Sequence, residues 1–126
     1  MERLKLDTPY ITLYLEDGIM YGLYKDGIRI SLEIAKQVVQ DRVTFCAGHS
    51  YPTMGTLKGG VILERDAREY FGTSEAVEGM TKMALLTDSL FTKVISNWYL
   101  NLSNPLVPTK VFTDKDDAVK WLKEIK

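Results

Sequence analysis

The spacing of apolar and polar positions changes along the chain, and each change marks an element. Tyr10 to Glu16 and Ile19 to Tyr24 are rich in Ile, Leu, Tyr and Thr, with Asp17-Gly18 between them. Two β-prone runs separated by Asp-Gly predict a hairpin closed by a two-residue type I′ turn. That turn sets the register, placing Glu16 opposite Ile19, Tyr14 opposite Tyr21 and Thr12 opposite Leu23. One face then carries Ile11, Leu13, Leu15, Met20, Gly22 and Tyr24, and should meet the core. The other carries Tyr10, Thr12, Tyr14, Glu16, Ile19, Tyr21 and Leu23, and is amphipathic.

After Lys25-Asp26-Gly27 and Ile28-Arg29-Ile30 the period lengthens. Ser31 suits the N-cap of a helix to about Phe45, because its hydroxyl can accept an early orphan amide. Leu32, Ala35, Val38, Val39 and Val43 share one face of that helix, with Lys36, Gln37, Gln40 and Asp41 opposite. Ala47-Gly48 ends it. Tyr51 to Leu57 reads as a strand closed by Lys58-Gly59-Gly60. Glu64 to Phe71 reads as a short helix stopped by Gly72, and Thr73-Ser74 can cap another ending near Gly79. Lys82 to Thr87 has the continuous apolar centre of a strand buried on both faces. Asp88 or Ser89 then caps the longest helix, whose stripe is Leu90, Phe91, Val94, Ile95, Trp98 and Leu102. Asn104-Pro105 stops that helix. Lys110 to Phe112 is the last strand. The last helix starts at Thr113 or Asp114, with acids in its first turn and lysines in its last, as the helix dipole favours.

The order of elements is that of an α/β domain: a mixed, largely parallel sheet opened by a β-hairpin, with helices mainly on one face. At 126 residues, with no repeat or linker, the chain is expected to form one domain over 1–126. Hydrophobic residues make up 45% and charged ones 26%, a globular rather than disordered composition. The net charge is −1 with acids and bases interspersed, so no basic stripe invites nucleic acid. A single cysteine, Cys46, excludes an intrachain disulfide and a multi-cysteine metal site. Met1 to Asp7 has no apolar run, and no stretch reaches the ~20 apolar residues of a membrane span. A cytoplasmic protein without membrane insertion is the expectation.

A family resemblance enters through this order of elements, the Asp88-Ser89 helix start after a buried strand, and the ending Lys110-Val111-Phe112-Thr113-Asp114 … Ala118-Val119-Lys120-Trp121-Leu122. Together they resemble the STAS fold (β-β-α-β-α-β-α-β-α) of bacterial anti-sigma-factor antagonists, closest to an uncharacterised branch of short bacterial STAS-like proteins. The resemblance spans nearly the whole chain. It implies a regulatory or protein-interaction module, acting on a protein partner or as a homodimer. Antagonists of the phosphorylated type resemble one another in an Asp-Ser-Ser-Gly-like step at a helix start. Here the corresponding stretch is Glu64-Arg65-Asp66-Ala67, which has no hydroxyl, so the phosphorylation cycle is not carried over. Arg65 and Asp66 remain candidates for docking.

Other candidate sites are weaker. Thr87, Asp88 and Ser89 sit where a buried strand passes into a helix, at the sheet edge where open α/β folds place ligands. Helix capping alone also explains Asp88 and Ser89. Tyr10, Tyr14 and Tyr21 could form an interface face, or simply pair across the hairpin. His49, the lone histidine, lies in a connecting loop, and Cys46 is expected to be a packing residue. Lys58-Gly59-Gly60 lacks the spacing of a phosphate loop. No catalytic residue, cofactor or metal is called for, so the chain is expected not to be an enzyme. Two other readings stay open: a binding module for a small apolar or anionic ligand near Met54, Met83, Phe91 and Trp98, and a small enzyme built on Asp88, Ser89 and His49, whose side chains would have to converge.

Overall fold

The computed structural model describes residues 5–58, 60–89 and 104–124. The hairpin forms as its Asp-Gly turn dictates. Strands β2 (Ile11–Glu16) and β3 (Ile19–Tyr24) pair with Glu16 opposite Ile19, Tyr14 opposite Tyr21 and Thr12 opposite Leu23. Asp17 and Gly18 both take positive φ, 55° and 77°, as a type I′ turn requires. A short strand β1 (Lys5–Asp7), not expected from the sequence, adds antiparallel to β2. Its residues are all exposed, so it leaves no apolar alternation to read.

Two-residue strand β4 (Arg29–Ile30) leads into helix α1 (Leu32–Cys46), capped by Ser31, whose Oγ accepts from the Ile34 amide at 3.2 Å. Strand β5 (Tyr51–Leu57) follows, then β6 (Ile62–Leu63) and helix α2 (Arg65–Tyr70). The expected second helix after Gly72 does not form. Thr73 does cap, its Oγ1 accepting from the Ala76 amide at 3.3 Å, but only turns follow before β7 (Met80–Thr87). Strand β8 (Thr109–Phe112) and helix α3 (Lys115–Lys123) close the description, with Asp114 as the α3 N-cap. The helix expected from Asp88-Ser89 to Leu102 falls on 90–103, outside the described residues.

The main sheet runs β1-β2-β3-β5-β7-β8, antiparallel at the first two pairings and parallel at the other three. It is the mixed, largely parallel sheet the order of elements implies. Helices α1 and α2 lie on one face, where Ile11, Leu13 and Met20 pack with Val38 and Cys46, and Ala35 packs with Ala67. Helix α3 covers the opposite face, where Ala118 and Leu122 meet Ile19, Tyr21, Met54, Ala84, Leu86 and Phe112. Period-2 alternation along β5 and β7 feeds both layers.

Candidate functional site

Four strands end at one edge of the sheet, and the helix starts gather there. Strands β3, β5, β7 and β8 run parallel, so their carboxyl ends coincide. From the first two ends the chain passes through β4 and β6, which pair parallel as a small second sheet with Ile30 beside Leu63. The next residue of each is a helix N-cap, Ser31 for α1 and Glu64 for α2. The pairing therefore sets two helix starts side by side. Ile30, Ala35 and Ala67 are buried between them, and the two small alanines let α1 and α2 approach. Arg29 and Glu64 form an exposed ion pair across the rim at 3.6 Å, worth little in solvent.

Arg65 and Asp66 open α2 into solvent. The Arg65 side chain is 81% exposed and bonds Glu69 one turn on at 3.2 Å. Thr87, Asp88 and Ser89 stand at the end of β7 on the same edge. Thr87 is buried, and its Oγ1 accepts from the Ser89 amide at 3.4 Å, while Asp88 is exposed. The two groups proposed as docking residues thus share a sheet edge, with charges of both signs between them.

His49 is at the other end. It precedes β5, and Tyr51 pairs with Met80 whereas Leu57 pairs with Thr87. Six strand steps at about 3.3 Å put His49 roughly 20 Å from Ser89. The proposed trio of Asp88, Ser89 and His49 does not converge, because its members straddle the length of the sheet. His49 instead borders a polar hollow of about 90 Å³ with Cys46, Ser50 and Glu78. Cys46 is buried there, and burial pushes its thiol up, only partly offset by Arg42, so it is a packing residue rather than a nucleophile. Among the described residues no group of three or more His, Cys, Asp or Glu side chains could hold a metal ion.

The ligand reading names Met54 and Met83 together with Phe91 and Trp98. Met54 pairs with Ala84, and Met83 with Thr53, so consecutive positions send the two methionines to opposite faces. Phe91 and Trp98 lie outside the described residues. The hollow that Met54 and Met83 both border holds about 30 Å³, too little for a drug-sized molecule.

The three tyrosines do not make one surface. Tyr14 and Tyr21 stack with centroids 4.8 Å apart and planes 5° apart, but α3 leaves Tyr21 only 5% exposed and sets Lys115 over its ring at 5.4 Å. Tyr10 packs with Ile11 and Leu13 on the α1 side.

Two charged residues escaped the sequence reading. Arg42 is 4% exposed, and its Nη2 donates to the carbonyls of Ala76 at 2.8 Å and Glu78 at 2.7 Å, fastening the turns after α2 onto α1. Lys82 is 8% exposed, and its Nζ donates to the carbonyls of Trp121 at 2.8 Å and Glu124 at 3.0 Å, closing the C-terminus of α3. Spacing held the signal. Arg42 sits four residues after Val38 and four before Cys46, on the apolar stripe, and Lys82 is two before Ala84 on one strand face.

A family model described as a domain of unknown function, DUF7793, matches residues 13–126. The chain belongs to the DUF7793 family. No curated protein matches this DUF7793 chain. Among solved structures, it is similar to an uncharacterised protein of the DUF3478 family with a SpoIIAA-like fold from Shewanella loihica PV-4. Their TM-score is 0.61 at 15% identity, over 89% of this chain and 91% of that one. A protein of unknown function from Arthrobacter sp. fb24 matches at 26% identity over 90% of this chain and 99% of that one, with a TM-score of 0.29. The first likeness shows the fold: this DUF7793 chain is STAS-like, as its ending suggested. No described helix is long and apolar enough to cross a membrane.

Proposed function

We propose that this chain is a non-enzymatic regulatory or protein-interaction module of STAS type, working without a phosphorylatable serine step. It docks a protein partner on the carboxyl edge of its sheet, through Arg65 and Asp66 on α2 and Asp88 and Ser89 after β7. The observation that carries this reading is the separation of His49 from that edge by the length of the sheet. The edge keeps exposed charges of both signs on a rigid pair of helix starts. Such an edge selects partners by charge register, with each exposed pair adding specificity more than affinity. Protein chemistry fits better than nucleic acid, since neither the edge nor the chain carries a basic excess.

The test is affinity capture from the native host with the wild-type chain and with an Arg65→Glu, Asp66→Lys double variant. Both side chains are exposed, so the variant should fold normally. A partner retained in stoichiometric amount by the wild type and lost from the variant is the expected result. Equal capture by both removes this edge as the docking surface.

A further inference from the structure

Arg42 poses a charge problem that the fold does not answer. Its guanidinium is buried against the sheet, and among the described residues no carboxylate forms an ion pair with it. Glu78 bonds it only through the backbone carbonyl, and Nε has no hydrogen-bond partner at all. A buried cation is costly unless an opposite charge or a full set of acceptors compensates it. Arg42 borders a hollow of about 30 Å³ beneath α1, walled by Val38, Met20, Met80 and Met83 and floored by Gly22 and Gly55. The floor is flat because glycine stands there. A Cβ on Gly22 would come within 3.0 Å of Ile11 Cδ1, and one on Gly55 within 3.0 Å of Met83 Cε.

Tyr24 lines the same hollow. Burial pushes its hydroxyl up to about 12, with Arg42 pulling the other way, so it stays a neutral donor at physiological pH. Two of the lining residues, Arg42 and Tyr24, thus carry donors, one of them on a fixed positive charge; Thr53, also in the lining, already donates to the Tyr51 carbonyl, and most of the rest is apolar. Its volume exceeds the about 10–15 Å³ that a single water needs.

We propose that this hollow binds one small monovalent anion of halide size, held by Arg42 Nε and the Tyr24 hydroxyl. The ion supplies the acceptor that Nε lacks and a negative charge in direct contact, whereas the Glu78 carboxylate acts on Arg42 without forming an ion pair. It ties β3 to α1 at the point where Arg42 grips the turns carrying Ala76 and Glu78. The apolar walls exclude larger oxyanions by size. Binding to the native state alone makes stability rise with halide concentration.

Thermal unfolding in sodium chloride against sodium gluconate at equal ionic strength reads this directly, with bromide-soaked crystals locating the ion. The expected result is a melting temperature that climbs with chloride and not with gluconate, together with an anomalous bromide peak between Arg42 and Tyr24. Arg42→Met keeps the side-chain volume and should abolish the chloride response. Should that variant not fold, Tyr24→Phe removes one donor and should weaken the response several-fold. Identical melting in the two salts, or density for a water alone in the hollow, overturns the proposal. So does a chloride response that persists undiminished in Tyr24→Phe.

Discussion

Replacing Lys82 by methionine isolates what holds α3 against the sheet. The ammonium makes two charge-assisted bonds to the last carbonyls of the helix and lies 4.7 Å from the Trp121 ring centre. Hydrogen bonds to a charged group contribute about 1.5–3 kcal/mol, and a partly desolvated cation–π contact about 0.5–2 kcal/mol more. Against this, methionine keeps the packing of the stem and removes the cost of burying an ammonium, which offsets about half of the gain. The net loss is about 2 kcal/mol. For a domain of this size that lowers Tm by roughly 6–10 °C. The loss should be local first, so amide exchange at Leu122, Lys123 and Glu124 should accelerate more than exchange in β5 or α1. Lys120→Met, on the exposed side of the same helix, is the control and should change Tm by less than about 1 °C. An unchanged Tm with unchanged exchange at the end of α3 would refute the assignment of Lys82 as its C-terminal cap.

Other consequences are simpler. Ser31→Ala removes the α1 N-cap and should cost about 1 kcal/mol in urea unfolding, with Ser31→Gly milder. Gly55→Ala should shift stability by less than about 1 kcal/mol, because the atom its Cβ meets is the mobile end of Met83, whereas Gly55→Leu should cost about 1–3 kcal/mol by overpacking. Asp7 accepts from Lys25 Nζ at 2.5 Å and Thr12 Oγ1 at 2.6 Å, and these bonds, Lys25 first, hold its carboxyl below the ordinary 3.8. A depressed carboxyl stabilises the fold above its unfolded value and loses that contribution as pH falls through the folded one. Carboxyl NMR should show Asp7 titrating below 3.8, and Asp7→Asn should remove this part of the acid-limb slope; a titration at or above 3.8 would contradict the clasp.

The hairpin was readable to the residue because Asp17-Gly18 fixes both turn type and register, and period-2 alternation fixes the faces. Helix α1 was readable through Ser31 and its apolar stripe, and α3 through Asp114 and the placement of its charges. What the pattern hid has physical causes. Strand β1 is exposed throughout and held by the Asp7–Lys25–Thr12 clasp, so it carries no burial signal. Strands β4 and β6 are two residues each and stable only because α1 and α2 pack together above them. The turns after Thr73 bear a helix-start signal, but Arg42 takes the carbonyls of Ala76 and Glu78. The tyrosine face looked open because α3, distant in sequence, is what covers Tyr21. Of the candidate site, the helix start at Glu64 and the strand ending at Thr87 were visible locally. Their common edge follows from parallel pairing, and the remoteness of His49 from strand length, neither of which a linear motif encodes.

Whether the chain works by docking at its carboxyl edge is best decided by amide hydrogen exchange on the free chain and on its complex with the captured partner. Protection gained across 64–70 and 87–89, with the loop around His49 unchanged, is the expected footprint. Protection centred on His49, Ser50 and Glu78 at the opposite end of the sheet would contradict it.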